Sequence, residues 1–176
     1  RGYRYESFEN YRVLKGIVFD HTLASEYVLE LKEVRKDENE VIVDAVIRSL
    51  SADGKPRFHY SAQIGLRAIL PEAPLCTVKV SPATGEQLDG DVLYHNGTLF
   101  HGYSFQGVKR VLTIGEEGLM MRCVLSPVDD AYQGQFPIQA FNYFLADVGL
   151  QSIGIWARNY FDMGSLPRRA GNGTHY

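Results

Sequence analysis

Between Tyr27 and Arg67 the chain alternates with period two, and no other feature constrains its fold as tightly. Tyr27, Leu29 and Leu31 face one way while Val28 and Glu30 face the other; Val41, Val43, Ala45 and Ile47 oppose Ile42, Asp44, Val46 and Arg48. Phe58, Tyr60, Ala62, Ile64 and Leu66 alternate in turn with His59, Ser61, Gln63, Gly65 and Arg67. Successive side chains leave opposite faces only in an extended chain, so these runs are strands whose register is well specified. The connections are turn-like: Lys36-Asp37-Glu38-Asn39-Glu40, then Ala52-Asp53-Gly54-Lys55, whose Asp-Gly pair tolerates positive φ and suits a hairpin. With the run from Tyr11 to Phe19, about four antiparallel strands in a meander are expected.

From Pro71 to Gly90 the pattern dissolves into prolines, glycines and small polar residues, which reads as a linker. Apolar runs return at Phe105–Ile114 and Leu119–Leu125, separated by Gly115-Glu116-Glu117-Gly118, and read as a hairpin of long strands. One convincing helix is expected from about Gln139 to Tyr160. Its Phe141, Phe144, Leu145, Val148, Leu150, Ile153, Ile155 and Trp156 cover nearly every direction of a 3.6-residue wheel, so it is expected to be buried all round. Gly149 and Gly154 inside it each cost roughly 1 kcal/mol in propensity, which suits close approach by another backbone or a ligand. A long central helix wrapped by a curved antiparallel sheet is the hot-dog architecture, in the α+β class.

Composition narrows the function. The 176 residues carry Lys+Arg 18 against Asp+Glu 21, a net charge of −3, and no basic stripe, which argues against nucleic acid or an anionic membrane as partner. No stretch approaches the roughly 18 apolar residues that a bilayer helix needs. Cys76 and Cys123 lie far apart, outside any CxxC or zinc spacing, and read as free thiols in a reducing, cytoplasmic compartment. The first residues contain no signal peptide, and the sequons at Asn96 and Asn172 read as chance triplets in Gly/Thr-containing loops. No phosphate-cradling glycine loop, metal-ligand cluster or GxSxG elbow is present, so neither metal nor cofactor is expected.

One ionisable residue stands out in the apolar helix. Asp147 lies four positions before Gln151, so the two side chains share a face one turn apart. A carboxylate buried without partners costs several kcal/mol; its site pairs it, raises its pKa or uses it. Pairing with Arg158 or capping of a loop amide is the structural alternative to chemistry. A second element, the Gly- and aromatic-rich turn Tyr94–Gly107 leading into a strand, is of the sort that lines a tunnel mouth.

Leu99-Phe100-His101-Gly102-Tyr103-Ser104-Phe105-Gln106-Gly107 resembles the "YGPxFQG" strand of dehydratase domains in modular polyketide and polyunsaturated fatty acid synthases, and Asp147-Val148-Gly149-Leu150-Gln151 is similar to their "DxxxQ" helix motif. Trp156-Ala157-Arg158 with Gly164-Ser165-Leu166-Pro167 is similar to the polyunsaturated fatty acid synthase branch, and Arg12–Leu70 resembles the strand-rich half of the first hot dog in such double hot-dog domains. The resemblance implies a division into 1–70 (strand-rich half of the first hot dog), 71–90 (linker) and 91–176 (first strands and central helix of the second). It implies loss of water from a 3-hydroxyacyl chain, carried on the phosphopantetheine of an acyl carrier protein, to give a 2-enoyl thioester. Asp147 would then protonate and orient the leaving hydroxyl, Gln151 would fix the carboxyl's rotamer, and His101, Gly102 and Phe105 would line the substrate site. Acyl carrier protein, other synthase domains and a second copy in a homodimer are the implied partners.

Two departures bear on this. The family's "HxxxGxxxxP" motif, source of its catalytic base, is absent after all five histidines, so the pair is expected to be incomplete and turnover by this chain slight. The family's Pro in the "YGP" turn is Tyr103 here and its Tyr is His101. His59 and His101 are the histidines that could stand in, each with an ordinary hydrogen-bonded role as the alternative. A non-catalytic pseudo-dehydratase and a hot-dog acyl thioesterase, in which the helix carboxylate activates water, remain open.

Overall fold

The computed structural model describes residues 2–51, 53–75, 77, 87–125, 127 and 142–176. Two compact units emerge, Arg1–Leu75 with Pro167–Tyr176, and Cys76–Leu166. Both are built on antiparallel sheets, and one principal helix accompanies the second, in keeping with the α+β expectation.

The first unit is a five-stranded sheet in the order β2-β3-β4-β1-β8, with β1 Arg4–Val13, β2 Tyr27–Lys36, β3 Glu40–Leu50, β4 Pro56–Arg67 and β8 Arg169–Thr174. The β2-β3-β4 meander follows the alternation, with Leu31 opposite Ala45 and Ala45 opposite Ala62. Asp37 makes the first turn by accepting backbone N–H bonds from Asn39 and Glu40 at 2.8 and 2.9 Å, an Asx turn. Gly54, at φ 77°, makes the second; Ala52 lies outside the described residues.

Two expectations are corrected at the sheet's far edge. The first strand is Arg4–Val13 rather than Tyr11–Phe19, and it pairs with β4, from Arg4↔Arg67 to Val13↔Tyr60, instead of extending the meander beside β2. Beyond Val13 the chain turns off the sheet, with the amides of Leu14 and Lys15 both on the His59 carbonyl. Residues 169–174, expected within the second hot dog, return to this sheet as β8, from Ser7↔Thr174 to Arg12↔Arg169. Gly173 makes room there for Phe8, whose ring lies across the position a Cβ would occupy.

The second unit carries β5 Leu88–Asp89, α1 Gly90–His95, β6 Val108–Gly115, β7 Gly118–Cys123 and α2 Tyr143–Phe161. β5, β6 and β7 form one sheet, and Gly115↔Gly118 closes the expected hairpin. Both β5 and the start of α1 fall inside the stretch expected to be linker; of its remainder, 76 and 78–86 lie outside the described residues. Asn142 caps α2 by accepting from the Phe144 amide at 2.9 Å. Residues 139–141 of the expected helix lie outside the described residues.

α2 buries one face rather than its whole circumference. Phe144, Val148, Gln151 and Ile155, spaced 4, 3 and 4 apart, are buried, whereas Leu145, Leu150 and Ile153 are 60%, 39% and 48% exposed. Val148 and Ile155 join Leu93, Leu99, Val108 and Val111 in the core, where each fully buried aliphatic side chain contributes roughly 1.5–3 kcal/mol. The Trp156 indole donates to the Gly115 carbonyl at 3.0 Å, tying the helix to the β6–β7 turn. Among the described residues no backbone makes the close approach expected at Gly149 and Gly154: a Cβ at Gly149 would meet none of their atoms within 4 Å, and one at Gly154 would meet Leu99 at an ordinary 3.8 Å. In this unit the crowded glycines among the described residues are Gly90, against the β6 backbone, and Gly107, against Val148.

Cys123 packs beside this core, and burial pushes its thiol pKa up. The thiolate is the nucleophile, so native Cys123 is expected to react with a maleimide at neutral pH well below the rate of an unfolded control, with urea restoring the reaction. Cys76 lies outside the described residues.

Candidate active site

The site grows from α2. Asp147 and Gln151 project from adjacent turns of its inner side, and Gln151, only 2% exposed, is the hub. Its Nε2 donates to Asp147 Oδ2 at 2.6 Å and to the Phe105 carbonyl at 2.8 Å, while its Oε1 accepts from the Tyr94 hydroxyl at 2.7 Å. Two acceptors on one side and a hydroxyl on the other leave the amide a single orientation. The Tyr94 hydroxyl in turn accepts from the Val108 amide at 3.0 Å, so the network ends on the first residue of β6. Burial holds the Tyr94 phenol above its usual pKa, and it serves as a neutral donor.

His101 completes the cluster from the loop ahead of the short 3₁₀ turn Tyr103–Phe105. Its Nε2 lies 3.6 Å from Asp147 Oδ2, the oxygen that Gln151 already holds; the side chains of His101 and Asp147 are 15% and 26% exposed. The imidazole stacks on Phe100 with centroids 4.4 Å apart. Its backbone carbonyl accepts from Gln106 Nε2 at 3.1 Å, and its Nδ1 is buried without a hydrogen-bond partner among the described residues. The carboxyl of Asp147 is thus tethered by one oxygen and partly open to solvent. Arg158, the partner considered from sequence, pairs with Asp162 instead, at 3.2 Å.

The structure brings Asp147, Gln151, His101 and the Phe105 carbonyl together. Phe105 itself packs its ring edge-on against Phe144, centroids 4.9 Å apart. Gly102 is exposed, and its carbonyl accepts from the Phe105 amide at 2.9 Å, closing the 3₁₀ turn. Tyr94 was not singled out from sequence: it lies 57 residues from Gln151, and only its place in the aromatic segment hinted at it. Tyr94→Phe strands both the Val108 amide and the Gln151 oxygen, so a loss of about 1–3 kcal/mol in unfolding free energy is expected by urea titration.

His59, the other candidate histidine, belongs to the first unit. It is 3% exposed, with Ser49 Oγ 2.8 Å from Nε2 and the Lys15 carbonyl 2.8 Å from Nδ1. The carbonyl can only accept, so Nδ1 carries the hydrogen and Ser49 donates to Nε2. Both ring nitrogens are occupied, as in a structural histidine. An open cleft of about 740 Å³ in this unit borders on His59, Ser49, Lys15 and Arg57, and its lining includes none of the Asp147 cluster.

Comparison with known proteins bears on the fold. No protein-family model matches the chain. It is 25% identical over 168 residues to one of the component chains of the polyunsaturated fatty acid synthase of Thraustochytrium sp. (strain ATCC 26185 / S-3), spanning 94% of this chain and 6% of that protein. Among solved structures, the dehydratase domain of RzxB from Pseudomonas fluorescens superposes with a TM-score of 0.67 at 14% identity, covering 98% of this chain and 60% of that one. The dehydratase domain of the CurK module of the curacin polyketide synthase gives 0.66 at 18% identity, with the same coverage. A trans-AT polyketide synthase dehydratase domain from Brevibacillus brevis gives 0.64 at 15% identity, over 96% and 58%. The chain therefore has the hot-dog fold of synthase dehydratase domains, spans about three fifths of their length, and is similar in sequence to part of a polyunsaturated fatty acid synthase.

Proposed function

We propose that this chain, with the fold of a synthase dehydratase domain, acts in the dehydration of a 3-hydroxyacyl thioester to the 2-enoyl thioester, with Asp147 as the acid. The observation that carries the reading is the tethered carboxyl: Oδ2 of Asp147 is held by Gln151, whose amide is locked from two further sides. β-Elimination needs a proton delivered to a departing hydroxyl at a fixed place, and a carboxyl gripped by one oxygen presents the other in a fixed direction. Gln151 is a positioning residue here, acting through Asp147. The substrate would arrive on the phosphopantetheine of an acyl carrier protein, with other synthase domains and a second copy of the chain as partners.

Product analysis tests the reading. Incubation with a 3-hydroxyacyl thioester on carrier protein should give the 2-enoyl thioester, at a slight rate with this chain alone, and the reverse hydration of an enoyl thioester should be measurable too. Free acid would make the site a thioesterase. Absence of any product would favour the non-catalytic reading, to which the missing "HxxxGxxxxP" motif lends support.

A further inference from the structure

We infer that His101 is a positioning residue that selects which oxygen of Asp147 delivers the proton, rather than part of the substrate's binding surface. The inference rests on the dehydratase reading and adds a role for this side chain. Its Nε2 and the Gln151 amide both address Oδ2, at 3.6 and 2.6 Å, and no described residue hydrogen-bonds to Oδ1. Gln151 engages Oδ2 with a hydrogen bond and the His101 Nε2 stands just beyond bonding distance of the same oxygen, so the transferable proton belongs on Oδ1. The longer of the two contacts is of the kind that tightens when substrate closes a site.

The ring's own tautomer follows from its surroundings. Nε2 faces a carboxyl oxygen, and Nδ1 is buried with no hydrogen-bond partner among the described residues. A hydrogen on Nδ1 would be a buried, unsatisfied donor and would leave two lone pairs facing each other across the Nε2 contact. The neutral ring therefore carries its hydrogen on Nε2. Phe100 stacked on one face and the Gln106 bond to the His101 backbone hold it in this attitude. In the elimination the Asp147 Oδ1–H bond breaks as the C–O bond to the hydroxyl breaks, water departs, the carboxylate left behind faces the two N–H groups, and the α-proton passes to solvent, from which the carboxylate is reprotonated.

Two measurements on the 176-residue chain test this. Histidine ¹⁵N–¹H correlation spectra should show His101 as the Nε2–H tautomer, with that preference weakened in Asp147→Asn. The Nδ1–H tautomer, or indifference to Asp147→Asn, would overturn the pairing whether or not the chain turns over substrate. In kinetics, His101→Phe should lower kcat by roughly ten- to a hundredfold with KM changed less than about twofold. His101→Gln, whose amide places an N–H near the lost Nε2–H, should recover most of the rate. A raised KM at unchanged kcat would return His101 to the substrate surface and sink the positioning role. Wild-type chain without dehydration or hydration would instead sink the dehydratase reading and the kinetic role with it, leaving the tautomer to report on the pairing alone.

Discussion

Asp147→Asn is expected to lower dehydration of a 3-hydroxyacyl thioester by about a hundredfold or more, while the urea unfolding midpoint hardly moves. The amide has the shape of the carboxyl and keeps an oxygen that can accept from Gln151, whose own bonds to Phe105 and Tyr94 do not depend on Asp147. What it lacks is a transferable proton, and loss of general acid catalysis typically costs 10²–10⁴ in rate, roughly 3–5 kcal/mol of barrier. Enoyl product should be followed by its ultraviolet absorbance and unfolding by fluorescence on the same preparation. A rate equal to wild type in a folded protein would remove Asp147 from the chemistry.

The largest effect on stability is expected at Gly90. A Cβ built there falls well inside contact distance of the Val108 carbonyl oxygen and 2.7 Å from its carbon, both backbone atoms of the neighbouring strand β6 that cannot rotate away. Gly90→Ala therefore has to push α1 off β6, and a loss of about 3 kcal/mol or more is expected, the upper end of what overpacking costs. Gly107→Ala meets a side-chain methyl of Val148 at 2.6 Å, which can yield, so about 1–3 kcal/mol is expected. Gly149→Ala meets no described residue and replaces a poor helix former on α2, so stability should rise by about 0.5–1 kcal/mol. Urea titration of the three variants checks the ranking; equal losses at Gly90 and Gly149 would show that the approach of α1 to β6 is looser than described.

What could be read from the chain alone follows from where the information sits. β2, β3 and β4 are written in their own side chains, because each presents an apolar face every second residue and the turns between them carry Asp37 and Gly54. β8, Arg-Ala-Gly-Asn-Gly-Thr, has almost no apolar side chain to alternate; it is a strand because β1 offers it backbone partners, which composition does not record. α2 misled in another way. Its many apolar residues suggested burial on all sides, yet Leu145 and Ile153 stay exposed, since a wheel counts hydrophobic residues without knowing which neighbours exist. In the site, the four-residue spacing of Asp147 and Gln151 was visible because helices repeat; the Tyr94 and His101 contacts join distant segments, and only the turn motif pointed toward the second of them.

The placement of β8 has a cost in time. Within the chain β1 meets β4 early, along one of its edges, but the partner for its other edge is separated from it by the whole of the second unit. Until residues 169–174 emerge, the nascent sheet presents a row of unsatisfied amides and carbonyls to whatever strand arrives first. Sealing it means closing a loop of more than a hundred residues, a slow step by topology, so a chaperone or a fast-folding insert guards this protein better than any gain in final stability.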